Sequence, residues 1–106
     1  MDMKQFEVYM VNLDPTLGAE MKKSRPAVIV SPDVMNKNLQ TVIVAPMNRT
    51  IKGYPSRVTS QFQKRAGEIV LDQIRSVDKR RLVKKLGTVD ASTSSNILAV
   101  LQTMFQ

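Results

Sequence analysis

The sequence lacks cysteine, histidine and tryptophan altogether. Without cysteine it can form neither disulfides nor thiolate metal sites, and without histidine it cannot perform imidazole acid–base chemistry. Ordinary zinc sites are excluded as well, because histidine and cysteine are the usual ligands. Any catalysis must therefore depend on arginine, carboxylates, hydroxyls and amides.

Long apolar runs are also missing from the 106 residues. No stretch approaches the length that crosses a bilayer. Charges at Asp2, Lys4 and Glu7 occupy the segment where a signal peptide would carry its apolar region. We therefore expect a cytoplasmic protein with no membrane partner. A chain of this length is expected to form a single domain, residues 1–106, around one core.

Acidic residues are few compared with basic ones. Sixteen Lys and Arg stand against nine Asp and Glu, which gives a formal net charge of +7. Such an excess favours a polyanionic partner, namely a nucleic acid, an anionic membrane surface or an acidic protein segment. The alternative is a domain that is merely basic.

Short strand patterns separated by turn signals make up most of the chain. We predict strands over residues 6–13, 27–31, 41–45, 57–59 and 67–72, and a further strand from residue 82 to 89. Residues 32–38 fit a short helical turn or an ordered loop, and residues 78–81 fit a turn of helix. Pro26, Pro32 and Pro46 are expected to end strands, because proline cannot donate a ladder hydrogen bond.

The C-terminal segment has the spacing of an amphipathic helix, with apolar residues at positions 97, 98, 100, 101, 104 and 105. Asp90 or Ser92 can cap its start, and its expected role is to pack on the sheet. The predicted fold class is mainly β (α+β). We expect a small barrel or twisted antiparallel sheet with short helices and this C-terminal helix.

Arg25 stands at the start of the predicted strand in RPAVIVSP, residues 25–32. The sheet would fix its backbone while its side chain still reaches solvent. A cation held in this way suits a phosphodiester. The alternative is a solvated arginine that precedes a strand.

Four motifs stand in the order found in a known family: VNLDPT (11–16), RPAVIVSP (25–32), KGYP (52–55) and LDQIRSVDKRRL (71–82), followed by KLG (85–87). In this order the chain resembles the MazF/PemK (Kid) toxin family over nearly its whole length. The resemblance implies a homodimeric, SH3-like barrel that acts as the toxin of a type II toxin–antitoxin system. It further implies a metal-independent endoribonuclease that cleaves single-stranded RNA or mRNA without a cofactor. The implied partner is an antitoxin whose acidic, disordered tail occupies the RNA groove.

The resemblance also implies a mechanism, in which the RNA 2′-hydroxyl attacks the adjacent phosphorus. Arg25 matches the catalytic arginine of the family. The second catalytic position, usually Thr, is Asn48, which can hydrogen-bond but has no hydroxyl; Thr50, two residues on, is a possible substitute. Asp72 matches an acidic residue that, in the Kid branch of the family, has been assigned a role in proton transfer. The alternative for Asp72 is a structural carboxylate that pairs with Arg75 or caps the turn.

The candidates for RNA contact lie in the loops 14–24 and 47–55, in the basic run 79–85, and at Gln73 and Arg75 of the motif before that run. Tyr54, in a polar loop, is the best candidate for stacking on an unpaired base, with packing in the turn as the alternative. The basic run fits phosphate binding or a solvated face. The full set is Glu20, Lys22, Lys23, Arg49, Lys52, Tyr54, Gln73, Arg75, Lys79 and Arg80.

Two other functions are open at the level of sequence. A non-catalytic relative would keep antitoxin binding and lose cleavage through the change at Asn48. A CcdB-like gyrase inhibitor would use polar and aromatic residues at the tip of its C-terminal helix. The ending TMFQ (103–106) lacks such a tip, which disfavours the second alternative.

Overall fold

The computed structural model describes residues 2–13 and 24–106. Three of the predicted RNA contacts, Glu20, Lys22 and Lys23, lie outside these residues. The strands are β1 (Glu7–Asn12), β2 (Ser24–Ile29), β3 (Thr41–Asn48), β4 (Arg57–Phe62), β5 (Arg65–Val70), β6 (Arg75–Asp78) and β7 (Leu82–Thr88). The helices are α1 (Asp33–Asn38) and α2 (Ala91–Met104), with 3₁₀ turns at Leu71–Gln73 and Lys79–Arg81. The predicted mainly β pattern is confirmed, and so are the helical segments predicted at 32–38, at 78–81 and at the C-terminal end.

All strand pairs are antiparallel, and the sheet runs in the order β4-β5-β3-β2-β1-β7. The strand β3 has two partners along one edge, because Thr41–Val44 pair with β6 and Met47–Asn48 pair with β5. This change of partner curls the sheet. The tip of the β4–β5 hairpin then reaches β7, where the Gln63 Nε2 donates to the Leu86 carbonyl at 3.1 Å.

Both faces of the curled sheet carry a buried apolar cluster. We call one the front face; its cluster contains Met3, Tyr9, Val11, Ala27, Ile29, Val42, Val44, Val77 and Leu82. We call the other the helix face; its cluster contains Val8, Val28, Val30, Ala45, Val58, Ile69, Leu71, Val89 and Ile97. The side chains alternate between the two clusters along β1, β2 and β3, as the strand period of two requires.

The helix α2 packs on the helix face through Ile97, which is fully buried. The Asp90 side chain caps its start by accepting a hydrogen bond from the Thr93 N–H at 2.8 Å, so the first of the two predicted caps is the one used. The buried stripe is narrower than its spacing predicts, since Leu98 and Phe105 are 47% and 72% exposed. No helix in the described part of the chain combines the length and the apolar character needed to cross a membrane.

The prediction that Pro26 and Pro46 end strands was wrong, because both lie inside strands. Each proline instead lies where the β2–β3 ladder ends, since the last pair is Ala27 with Pro46. The Val30 N–H donates to the Ile43 carbonyl. By alternation Pro46 therefore directs its nitrogen to the opposite edge, between the segments that pair with β6 and β5. A missing donor costs nothing in such a gap.

Candidate active site

Arg25 and Asn48 belong to the same face of the sheet. Arg25 pairs with Val11, and directly paired residues in an antiparallel ladder share a face, which places Arg25 on the front face. Pro46 pairs with Ala27 of the front-face cluster. Asn48 follows Pro46 by two residues, and the alternation of a strand puts it on the same face.

The two residues also flank the place where β2 and β3 separate. If the β2–β3 register continued past Ala27 and Pro46, Arg25 would lie opposite Asn48. Instead β3 pairs with β5 from Met47 onward, and the strands part. Both side chains are partly exposed at this split. A ligand that enters there meets a guanidinium from one strand and an amide from the other.

An open groove of about 590 Å³ lies beside the split and is lined mainly from the helix face. Ser24 and Pro26 line it, whereas Arg25, which projects from the opposite face, does not. Asn48 and Arg49 line it as well. The remaining lining residues are Met10, Met47, Ser60, Phe62, Gln63, Arg65, Ala66, Gly67 and Leu86. The groove is largely apolar; Asn48 contributes a polar group to its lining, whereas Arg25 lies outside it at the split.

A network of charged groups stands next to Asn48, because Asn48 pairs directly with Glu68 of β5. Glu68 is 1% exposed, and its Oε1 accepts a hydrogen bond from Arg57 Nη1 at 2.7 Å. The Nε of Arg57 donates to Asp72 Oδ1 at 3.1 Å. Ser56 Oγ donates to the same carboxylate oxygen at 2.9 Å. We call Glu68, Arg57 and Asp72 the charged triad.

The triad holds its three members charged at neutral pH. Burial would raise the pKa of the Glu68 carboxyl, but the bond from Arg57 and two backbone N–H groups outweigh it and lower that pKa below its ordinary value. The bond from Arg57 lowers the pKa of the Asp72 carboxyl. The pKa of the Arg57 guanidinium is raised above its ordinary range, mostly by Asp72 and then by Glu68.

The loop between β3 and β4, residues 49–56, is held by the triad. Glu68 Oε2 accepts hydrogen bonds from the backbone N–H groups of Lys52 at 3.1 Å and Gly53 at 3.4 Å. The Arg57 guanidinium carbon lies 4.7 Å from the centre of the Tyr54 ring. Tyr54 is 51% exposed, and three further site candidates of this loop, Arg49, Thr50 and Lys52, are exposed as well.

Two arginines hold the end of β1 beside Arg25. Arg75 Nη1 donates to the Leu13 carbonyl and Arg81 Nη1 to the Asn12 carbonyl, each at 3.3 Å. Arg75 pairs with Val44 of the front-face cluster, so it lies on the face of Arg25. The front face therefore gathers positive charge near the split.

Three other predicted RNA contacts, Gln73, Lys79 and Arg80, lie in the 3₁₀ turns before and after β6. The Lys79 ammonium donates to the carbonyl of Asn36 at the end of α1. Arg80 forms an exposed ion pair with Asp78 at 3.0 Å. Gln73 is exposed at the end of its 3₁₀ turn.

Sequence reasoning missed Arg57 and Glu68. Glu68 stands in the sequence GEIVLD without any local sign that it is buried, and only the pairing of β4 with β5 brings Arg57 to it. The partner expected for Asp72, Arg75, was also wrong, because the structure pairs Asp72 with Arg57. A buried charge needs a partner, but the sequence does not say which one.

The chain is similar to the members of a known protein family. A family model described as "PemK-like, MazF-like toxin of type II toxin-antitoxin system" matches residues 4–105.

The chain belongs to the PemK/MazF toxin family.

Individual members of the PemK/MazF family show the same likeness. The endoribonuclease toxin MazF of Escherichia coli K12 is 37% identical over 84 residues, which cover 78% of this chain and 76% of the relative. Endoribonuclease EndoA of Bacillus subtilis is 31% identical over 108 residues, covering 96% and 93%. The MazE–MazF crystal structure (Form-II) from Deinococcus radiodurans matches with a TM-score of 0.86 and 25% identity, covering 99% of this chain and 96% of that one.

These comparisons confirm the predicted PemK/MazF family and the mainly β fold class. They also confirm the function predicted from the resemblance, a toxin endoribonuclease of a type II toxin–antitoxin system. The gyrase-inhibitor alternative is not favoured.

Proposed function

We propose that this chain cleaves single-stranded RNA without a metal ion, by attack of a 2′-hydroxyl on the adjacent phosphorus. The 2′-oxygen–phosphorus bond forms as the phosphorus–5′-oxygen bond breaks. The 2′-hydroxyl loses its proton and the leaving 5′-oxygen gains one. The products are a 2′,3′-cyclic phosphate and a 5′-hydroxyl.

Arg25 is the residue that stabilises the negative charge in this reaction. Charge develops on the non-bridging phosphate oxygens in the transition state, and a planar guanidinium can bind two of them at once. The proposal rests on one observation: Arg25 and Asn48 lie on the same face of the sheet and flank the point where β2 and β3 separate. Arg75 adds positive charge to that face.

Asn48 is proposed to orient the phosphate or the 2′-hydroxyl through its amide, which both donates and accepts. Thr50 is exposed two residues after Asn48. It is the residue of this loop that carries a hydroxyl closest to Asn48 along the chain. The proton-transfer role of Asp72 is less well supported than the structural one, because Arg57 and Ser56 already engage its carboxylate.

The partners follow from the same surface. A net charge of +7 suits the RNA backbone and the acidic tail of an antitoxin, which would compete for the front face. Arg49, Lys52, Gln73, Lys79 and Arg80 are proposed as further RNA contacts. A homodimer in the cytoplasm completes the proposal, supported by the apolar side chains of Leu98 and Phe105 left exposed at α2.

The test incubates the purified chain with a long single-stranded RNA in EDTA, beside Arg25→Ala and Asn48→Thr. Loss of one charge-stabilising donor is expected to lower the rate by roughly 10²–10³-fold in Arg25→Ala. Lys37→Ala, which removes an exposed charge from α1, is the matched control and should keep the wild-type rate. Asn48→Thr supplies the hydroxyl usual at this position and is expected to cleave at least as fast as wild type.

The outcomes separate the candidate functions. Discrete cuts with 5′-hydroxyl ends that vanish in Arg25→Ala establish the proposal. An inert wild type with an active Asn48→Thr would show that position 48 has silenced the site. If all variants are inert while RNA or an acidic peptide still binds, the chain is a binding protein and the proposed reaction is wrong.

A further inference from the structure

A buried carboxylate organises the loop that carries Tyr54. Glu68 is 1% exposed, and a glutamate is almost never buried to that degree unless it is paired. Its two oxygens accept one bond from Arg57 and two from the backbone of Lys52 and Gly53. The carboxylate thereby ties the turn at residues 52–53 to strand β5.

Arg57 extends this connection to an aromatic ring. Its side chain is 9% exposed and is held from both sides by Glu68 and Asp72. The guanidinium lies 4.7 Å from the centre of the Tyr54 ring, within the distance of a cation–π contact. The N–H of Arg57 also donates to the Tyr54 carbonyl at 3.0 Å, so backbone and side chain hold the same residue.

Tyr54 is left with much of its ring open to solvent, since the residue is 51% exposed although Arg57 contacts the ring. An aromatic ring that is fixed and open in this way is a platform on which an unpaired base can stack. The platform is close to the proposed chemistry, because Glu68 pairs directly with Asn48. A base stacked on Tyr54 would therefore neighbour the phosphate bound at Arg25 and Asn48.

We propose that Glu68, Arg57 and Asp72 are positioning residues that hold Tyr54 as a stacking platform for an unpaired base next to the scissile phosphate. The inference rests on the proposed ribonuclease function and adds a determinant of base preference to it. In this arrangement Asp72 acts through Arg57 and does not touch the RNA. The triad affects the binding of RNA and the choice of cleavage site, and leaves the chemical step to Arg25 and Asn48.

The chain offers a direct spectroscopic readout, because it has two tyrosines and no tryptophan. Tyr9 is 1% exposed in the front-face cluster and supplies a constant background. A base that stacks on Tyr54 should quench the remaining tyrosine fluorescence. The probe is a short oligonucleotide of a mapped cut site, or of mixed sequence where no cut is found, with 2′-deoxy sugars, which lack the attacking hydroxyl.

The experiment compares wild type with Tyr54→Ala, Tyr54→Phe, Arg57→Lys and Glu68→Gln in cleavage kinetics, cut-site sequence and quenching. Glu7→Gln is the matched control, since Glu7 is also a buried carboxylate, with an ion pair to Lys85 at 2.6 Å and a backbone bond from Lys4 at 2.7 Å. We expect Glu68→Gln, Arg57→Lys and Tyr54→Ala to raise KM about tenfold, which is the loss of affinity expected when one base no longer stacks. Their kcat should stay near the wild-type value and their cut sites should become less selective. Tyr54→Phe keeps the ring and should keep the wild-type KM.

Three results would overturn the inference. The first is a Glu68→Gln variant that matches Glu7→Gln in KM and quenching. The second is a loss in kcat with unchanged KM, which would place the triad in the chemical step. The third is a Tyr54→Ala variant that binds RNA as wild type does, and this variant decides the matter even if Glu68→Gln fails to fold. A wild type that is quenched by the oligonucleotide but never cleaves RNA would refute the proposed reaction and leave the stacking platform standing.

Discussion

Gly67 lies so close to the backbone of Asn48 that a single added methyl group should disturb the site. A Cβ at position 67 would lie 2.6 Å from the Asn48 carbonyl oxygen and 3.5 Å from the carbonyl carbon. Contacts below 3.0 Å are essentially never found, and ordinary contact begins at 3.4 Å. In Gly67→Ala, β3 and β5 must therefore move apart by roughly 0.4–0.8 Å beside Asn48.

The cost of this movement can be stated for both stability and activity. Overpacking costs about 1–3 kcal/mol, and the loss of glycine entropy in the unfolded chain returns about 0.4–1 kcal/mol. The net loss of about 1–2 kcal/mol corresponds to a fall in Tm of roughly 5–10 °C for a domain of this size. A displacement approaching 1 Å at a reacting group costs up to roughly 10²-fold in rate, so we expect cleavage to slow by about 10- to 100-fold.

Thermal unfolding followed by circular dichroism measures the first effect, and RNA cleavage well below both Tm values measures the second. Ala99→Gly is the matched control, because a glycine in the exposed interior of α2 costs about 1 kcal/mol without touching the sheet. If Ala99→Gly slows cleavage as much as Gly67→Ala does, the loss reflects stability alone. A Gly67→Ala variant with wild-type Tm and rate would refute the packing argument itself.

Two further predictions concern stability. The pKa values of Glu68 and Asp72 are lowered in the folded state, so their contribution to stability is complete above the ordinary carboxyl range and is lost as the pH falls below about 4. In urea unfolding, a Glu68→Gln, Asp72→Asn double variant should lose less stability than wild type between pH 7 and pH 3. An equal loss in both proteins would contradict this. At the β4–β5 turn, Gln63 and Lys64 have φ angles of 52° and 64°. Because such backbone costs a non-glycine residue about 1–2 kcal/mol, Lys64→Gly should raise the urea midpoint while cleavage is unchanged, and a lower midpoint would count against the strain.

Local patterns in the sequence were enough for much of the fold. The apolar spacing and Asp90 predicted α2 and its cap, and the β-branched run at 41–45 predicted the first part of β3. The motif order was enough for the family, whereas the catalytic role of Arg25 that the resemblance implies stays a prediction. These features were predictable because capping, periodicity and strand propensity act within a few residues of chain.

The β4–β5 turn and the two prolines were beyond sequence reasoning. Gln63 and Lys64 form a tight turn at positive φ without glycine or asparagine, so no turn signal marks it. Pro26 and Pro46 can lie inside strands because the pairing of β2 with β3 ends beside them. Whether a missing N–H is harmful depends on which neighbour it would have faced, and that is a property of the assembled sheet.

Most strand and helix segments, though not β6, could be read from the sequence, as could the excess of positive charge and the motifs of a PemK/MazF toxin. Each of these features depends on the chemistry of neighbouring residues. The charged triad, in contrast, exists only in the folded chain. Arg57 meets Glu68 and Asp72 across 11 and 15 residues of chain, and Arg75 reaches Leu13 across 62. Contacts of this kind form because antiparallel pairing brings distant parts of the chain together, and the buried Glu68 then depends on the partner that this pairing supplies.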